Sequence, residues 1–202
     1  MREEESYFTV AAPVTVEYRA KDSRFIARLQ GVSSRDQAEA AVHDIAQTHP
    51  DATHHCYAYR LGAGDRCIFR ADDAGEPAGT AGRPILQALE TRKVSDAVLV
   101  VTRYFGGTKL GIGGLIRAYG AAAFAALDAA RLVHVIPKIE LDMIFDYQET
   151  GMVHHVLNQF RAKVLSQDFS EQTRMRISIQ ATRAEQLMSA LKNATRGKIQ
   201  FT

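Results

Sequence analysis

The strongest constraint on this 202-residue chain is the way its hydrophobic period switches near the C-terminal end. Ile139, Leu141, Met143 and Phe145 alternate with Glu140, Asp142 and Ile144, the two-residue period of a strand with one buried face. Met152, Val153, Val156, Leu157 and Phe160 then recur at helical spacing. Lys163–Gln167 and Arg174–Gln180 return to alternation, and Leu187, Met188 and Leu191 mark another helix stripe. Ile199 and Phe201 close the series as a short strand. Thr182-x-x-Glu185 reads as a capping box opening the second helix, and Gly197 as its stop. The order βαββαβ is the split βαβ, or ferredoxin-like, plan. Pro137 marks the boundary before it, so the chain divides into domains at residues 1–135 and 137–202.

The first domain is also mixed, which makes the whole an α+β protein. Strands are expected at Val14–Tyr18, Arg24–Leu29, Cys56–Leu61, Cys67–Phe69 and Ala97–Tyr104. Ser33 or Ser34 caps a helix running to about Thr48. Pro84 falls in the first turn of a helix near Gly82–Thr91. Gly106–Gly114 reads as a loop and Gly114–Ala130 as a long helix. A hydrophobic share of 46% supplies a core and excludes a disordered chain. No apolar run reaches the ~20 residues that cross a bilayer. The start, Met1-Arg2-Glu3-Glu4-Glu5, has no export signal, and two cysteines build no disulfide scaffold, so a cytoplasmic location is expected.

Net charge is only +2, which announces no partner by itself. Its distribution is more telling. Asp65, Asp72, Asp73 and Glu76 outnumber Arg66 and Arg70, and the stretch from Arg83 to Arg117 that follows is basic. Eleven of the 14 glycines lie between Gly62 and Gly120. They concentrate in two runs, Asp72–Pro84 and Arg103–Arg117, each ending at an expected helix start. Free N–H groups and the positive end of the helix dipole favour an anion there. Neither run is a P-loop or a dinucleotide fingerprint. The candidate anion or nucleic-acid contacts are Arg83, Arg103, Gly106, Gly107, Lys109, Gly111, Gly113, Gly114 and Arg117. Tyr104 and Phe105 beside them are of the type that stacks bases, whereas Tyr57 and Tyr59 share one strand face and suit packing.

Other chemistry has weaker support. Asp72, Asp73 and Glu76 offer a metal ligand or a base to an enzyme of hydrolase type acting on a small phosphorylated or peptide substrate. The more economical use of these carboxylates is to accept loop amides. His54, His55 and Cys56 lack the paired spacing of a zinc site, and Cys56 reads as a small buried strand residue. The expectation is therefore no catalytic residue, no metal and no cofactor.

Three segments resemble one known family. They are His54-His55-Cys56-Tyr57-Ala58-Tyr59, the run Gly75-Glu76-Pro77-x-Gly79-Thr80-Ala81-Gly82-Arg83-Pro84, and Arg103-Tyr104-Phe105-Gly106-Gly107-x-x-Leu110-Gly111-x-Gly113-Gly114-Leu115-x-Arg117-Ala118-Tyr119. They are similar to the signatures of the IMPACT family in its bacterial, YigZ-like two-domain form. One departure is the alanine at 74, which lengthens the family's Asp-Asp-Gly-Glu-Pro. The resemblance implies an N-terminal α/β sandwich of the ribosomal-protein and elongation-factor-G domain IV type. It also implies a ferredoxin-like C-terminal domain resembling domain V of that factor. For function it implies association with nucleic acid, RNA before DNA, or with the ribosome, and regulation of translation. Neither a membrane nor a small-molecule substrate is expected.

Overall fold

The computed structural model describes residues 6–64, 67–170 and 172–202. Asp65, Arg66 and the acidic start of the chain lie outside the described residues. The backbone gathers into two compact units, Ser6–Val135 and Ile136–Thr202.

In the first unit the elements run β1 (Tyr7–Val10), β2 (Val14–Ala20), β3 (Ser23–Gly31), α1 (Arg35–Thr48), β4 (His54–Leu61), β5 (Ile68–Asp72), α2 (Gly82–Thr91), β6 (Ala97–Tyr104), α3 (Ile112–Ala129) and β7 (Leu132–Val135). Five strands form one antiparallel sheet in the order β2-β3-β6-β4-β5. Helices α2 and α3 cover one face, packing Ile85, Leu89, Leu115 and Tyr119 on Phe25, Leu29, Cys56, Leu99 and Val101. Helix α1 covers the β4 and β6 part of the other face through Ala38, Ala41 and Ile45, which pack with Tyr57, Tyr59, Val98 and Val100. Strand β6 is central and covered on both sides, which is why it reads as a continuous apolar run rather than an alternation. Tyr57 and Tyr59 stack at 6.5 Å between ring centroids beneath α1, a packing use. Ser34 caps α1, accepting from Gln37 N at 3.2 Å, and Gln37 Oε1 accepts from Ser33 N at 2.8 Å.

Two features of this unit depart from the sequence reading. Strands β1 and β7 pair as a separate ribbon from Tyr7↔Val135 to Val10↔Leu132, and both were missed. Each is only four residues long, too short for alternation to register. Helix α3 begins at Ile112, two residues earlier than expected, so Gly113 and Gly114 belong to its first turn.

The second unit contains β8 (Lys138–Phe145), α4 (Thr150–Phe160), β9 (Lys163–Phe169), β10 (Thr173–Gln180), α5 (Ala184–Ala194) and β11 (Gln200–Phe201). The sheet order β11-β8-β10-β9 with antiparallel neighbours is the ferredoxin-like arrangement. One core joins Met143, Phe145, Met175 and Ile177 of the sheet to Val153, Leu157, Leu187 and Leu191 of the helices. The capping box is not formed. Thr182 sits in a 3₁₀ turn, Ala181–Arg183, and α5 starts after it without a side-chain cap. The cause is a partner distant in the chain: Ala181 N is held by Pro137 O at 2.9 Å, so the chain enters the helix through a tighter turn. Gly197, at φ +80°, closes α5 by donating to Lys192 O at 2.8 Å. On the open face of the sheet Arg176 grips Asp142 through two bonds of 2.7 and 2.9 Å, which spends both charges internally. Among the described residues no helix is long and apolar enough to cross a membrane.

Candidate functional site

Strand pairing brings the two glycine runs to one end of the five-stranded sheet. His54 at the start of β4 faces Arg103, Arg24 near the start of β3 faces Tyr104, and Asp72 at the end of β5 faces Tyr57. The run after β5 leads into α2 and the run after β6 into α3, so both helices begin at this end. The two helix starts are nevertheless built in opposite ways.

At α2 the anion is part of the chain. Asp73 accepts from Gly79 N at 2.7 Å through Oδ2, and from Ala81 N at 2.9 Å and Gly82 N at 2.8 Å through Oδ1. Partial burial acts to raise the Asp73 pKa, but the three amides outweigh it and hold the carboxyl below its ordinary value. The positive end of the helix is thereby satisfied. Gly82 is required here because a Cβ would lie 2.5 Å from Asp72 N. Arg83, the next residue, is exposed. Ala74 takes φ +42° and Gly75 φ +89°, and Ala74 N donates to Asp72 Oδ1 at 3.0 Å.

Between the runs lies a buried polar cluster centred on Glu76. Its Oε1 accepts from Arg103 Nη1 at 2.6 Å and from the Tyr119 hydroxyl at 2.8 Å. His54 Nε2 stands 3.9 Å from the same oxygen, while its Nδ1 donates to Ala74 O at 2.9 Å. Arg103 Nη2 reaches Ser23 Oγ at 3.3 Å. The Cys56 thiol donates to Asp73 O at 3.0 Å and lies 3.3 Å from the Tyr119 hydroxyl. Burial, reinforced by the nearby carboxylates and against the Tyr119 hydrogen bond, pushes the Cys56 pKa up to about 12. Burial likewise raises that of Tyr119. The cluster ties the acidic run to β4, β6 and α3 at once.

This cluster corrects the expectation for Arg103. That residue is 5% exposed, and its charge is spent on Glu76 rather than offered to solvent. Strand parity explains it: Arg103 shares a face with Ala97, Leu99 and Val101, the face that packs on α2 and α3. The carboxylates of the enzyme reading are also engaged. Asp72 pairs with Arg70 at 3.3 Å, Asp73 caps α2 and Glu76 holds Arg103. Among the described residues no group of three His, Cys, Asp or Glu side chains is placed to hold a metal.

At α3 the chain supplies no anion of its own. The helix is preceded by Gly111 at φ +70° and carries no side-chain cap and no acid in its first turn. The loop from Phe105 to Lys109 is exposed, as are Gly111, Gly113 and Arg117. Arg117 bends back along the helix, with Nη1 only 3.4 Å from where a Gly113 Cβ would stand. A neighbour that sequence reasoning missed joins them: Lys21, in the β2–β3 turn, donates through Nζ to Lys109 O at 3.4 Å. The same turn fixes the loop. Thr108 donates to the Asp22 carboxylate, and Gly106 passes so close that a Cβ would meet Asp22 O at 1.9 Å. No local pattern could have announced Lys21, because strand pairing 80 residues apart brings it there. The arrangement therefore offers Gly106, Gly107, Lys109, Gly111, Gly113, Gly114 and Arg117 together at an uncapped helix start, with Arg83 beyond the closed one and Arg103 withdrawn.

Comparison with known proteins bears on the family of the chain. The Impact N-terminal domain matches residues 21–127, and a domain of unknown function, DUF1949, matches residues 143–198. The chain is 36% identical over 199 residues to the IMPACT family member YigZ of Escherichia coli strain K12, covering 98% of this chain and 97% of the relative. It is 36% identical over 193 residues to the IMPACT family member YvyE of Bacillus subtilis strain 168, covering 96% and 88%. A crystal structure described as that of a hypothetical protein is 34% identical and superposes with a TM-score of 0.66, covering 98% of this chain and 96% of the other. Identity of this extent, along nearly the full length of both relatives, places the chain in the IMPACT family.

Proposed function

We propose that this IMPACT family protein binds RNA, free or displayed on a ribosomal surface, through phosphate contacts at the start of α3. One observation carries the reading: α3 opens without a cap behind an exposed glycine loop bearing Lys109 and Arg117, while its neighbour α2 is already occupied by Asp73. Backbone amides of the first α3 turn receive a phosphate oxygen, and Lys109, Arg117 and Lys21 neutralise its charge. Arg83 at the start of α2 extends the contact to a neighbouring phosphate. Contacts of this kind give affinity with little base preference and a steep dependence on salt. A place in the regulation of translation, and hence in the cytoplasm, follows from such a partner and from the family resemblance.

Electrophoretic shifts of labelled RNA across a salt series test the reading. Affinity should fall linearly on logarithmic axes, and the double substitution Lys109→Ala with Arg117→Ala should flatten the slope. Binding that ignores salt, or is unchanged in the double variant, would refute it.

A further inference from the structure

Resting on that reading, we infer that the site takes unpaired rather than duplex RNA, with Phe105 as the platform on which one base stacks. The observation is a column of π systems that rises from the core and ends in solvent. Tyr119 meets Phe25 edge-on at 5.2 Å between centroids. The Arg103 guanidinium follows, 5.6 Å from the Phe25 centroid and 5.4 Å from that of Phe105. Arg103 is 5% exposed and anchored by Glu76, whereas Phe105 is 46% exposed. The last ring thus has a buried, anchored cation against it and is itself nearly half exposed.

Its backbone is fixed as well. Phe105 N donates to Thr53 Oγ1 at 3.2 Å, and Thr53 N donates to Arg103 O at 2.8 Å. The residues that follow are Gly106 and Gly107, and a Cβ on Gly107 would meet nothing within 4 Å, so the approach is open. Ile112 and Ile116 add exposed apolar surface on the first turns of α3, at 66% and 42%. An aromatic ring and apolar side chains interleaved with Lys109 and Arg117 match the composition of single-strand grooves, where rings hold bases and cations track the backbone. The guanidinium behind Phe105 draws on its π cloud, which eases the repulsion between two stacked faces. A duplex offers this platform only its two terminal base pairs, because its internal base faces are already stacked on one another.

The test compares a 10-nucleotide single-stranded RNA carrying 2-aminopurine with a blunt RNA duplex, using the full chain. The wild type should bind the single strand about tenfold more tightly and quench the 2-aminopurine. Phe105→Ala should lose about 5- to 150-fold in single-strand affinity and abolish the quenching, with the salt slope unchanged. Phe105→Leu keeps an apolar side chain at this position and should also lose the quenching, which separates stacking from folding. Equal affinity for both RNAs together with wild-type binding by Phe105→Ala would overturn the inference while leaving the phosphate reading intact. Absence of salt-dependent binding to either RNA would overturn both.

Discussion

The two glycine runs of the first unit share composition, position at the sheet end and a helix start, yet one is closed and the other open. The difference lies in a single carboxylate. Asp73 reaches three amides ahead of α2, and nothing equivalent precedes α3. Glycine content alone therefore does not distinguish a structural turn from a ligand cradle. What distinguishes them is whether the chain supplies its own anion.

Substitutions can break or sharpen this contrast. The largest effect is expected where the two runs are bolted together. Glu76→Ala strands the buried Arg103 guanidinium, and urea unfolding should show a loss of about 3–5 kcal/mol. Gly106→Ala comes next: the clash with Asp22 O cannot relax without moving the β2–β3 turn, and about 2–3 kcal/mol should be lost in the same measurement. Asp73→Ala uncaps α2 and should cost about 1–2 kcal/mol. Because the folded Asp73 carboxyl lies below its unfolded value, its contribution is present above about pH 4 and is lost as pH falls through the folded pKa. The stability gap between wild type and Asp73→Ala should accordingly be constant at neutral pH and narrow in acid. Least affected is the open run: Lys109→Ala with Arg117→Ala should change stability by no more than about 0.5 kcal/mol. The same pair should lower the salt slope for single-stranded RNA by about 1–1.5. A large stability loss in the double variant would show that the open run is structural after all.

Much of the fold is legible in the residues, because periodicity depends on neighbours along the chain. The βαββαβ order of the second unit, the Ser34 cap and the buried run of β6 follow from local pattern. Elements that depend on a distant partner are not legible in this way. Thr182 and Glu185 have capping-box spacing, but the Ala181–Pro137 bond diverts the chain into a 3₁₀ turn. Arg103 sits among glycines and cations in the sequence. Its direction is set by strand parity, and its partner Glu76 lies 27 residues upstream. Parity was available in the sequence, since Ala97, Leu99 and Val101 precede it at even spacing; the buried carboxylate was not. The closure of α2 by Asp73 is half visible in the sequence, since carboxylates among loop amides are most economically used to accept those amides. Which amides it takes depends on the loop path through Ala74 and Gly75.

The β1–β7 ribbon makes the two ends of the first unit neighbours, with Tyr7 opposite Val135. Strand β1 is also stitched to the segment before β6, through Phe8 N to Lys93 O at 2.8 Å and Ser95 N to Phe8 O at 2.9 Å. The ribbon works as a clasp. A truncation that stops short of Leu132 would free β1 from its partner as well, so the smallest self-sufficient piece of this unit must keep both halves of the buckle.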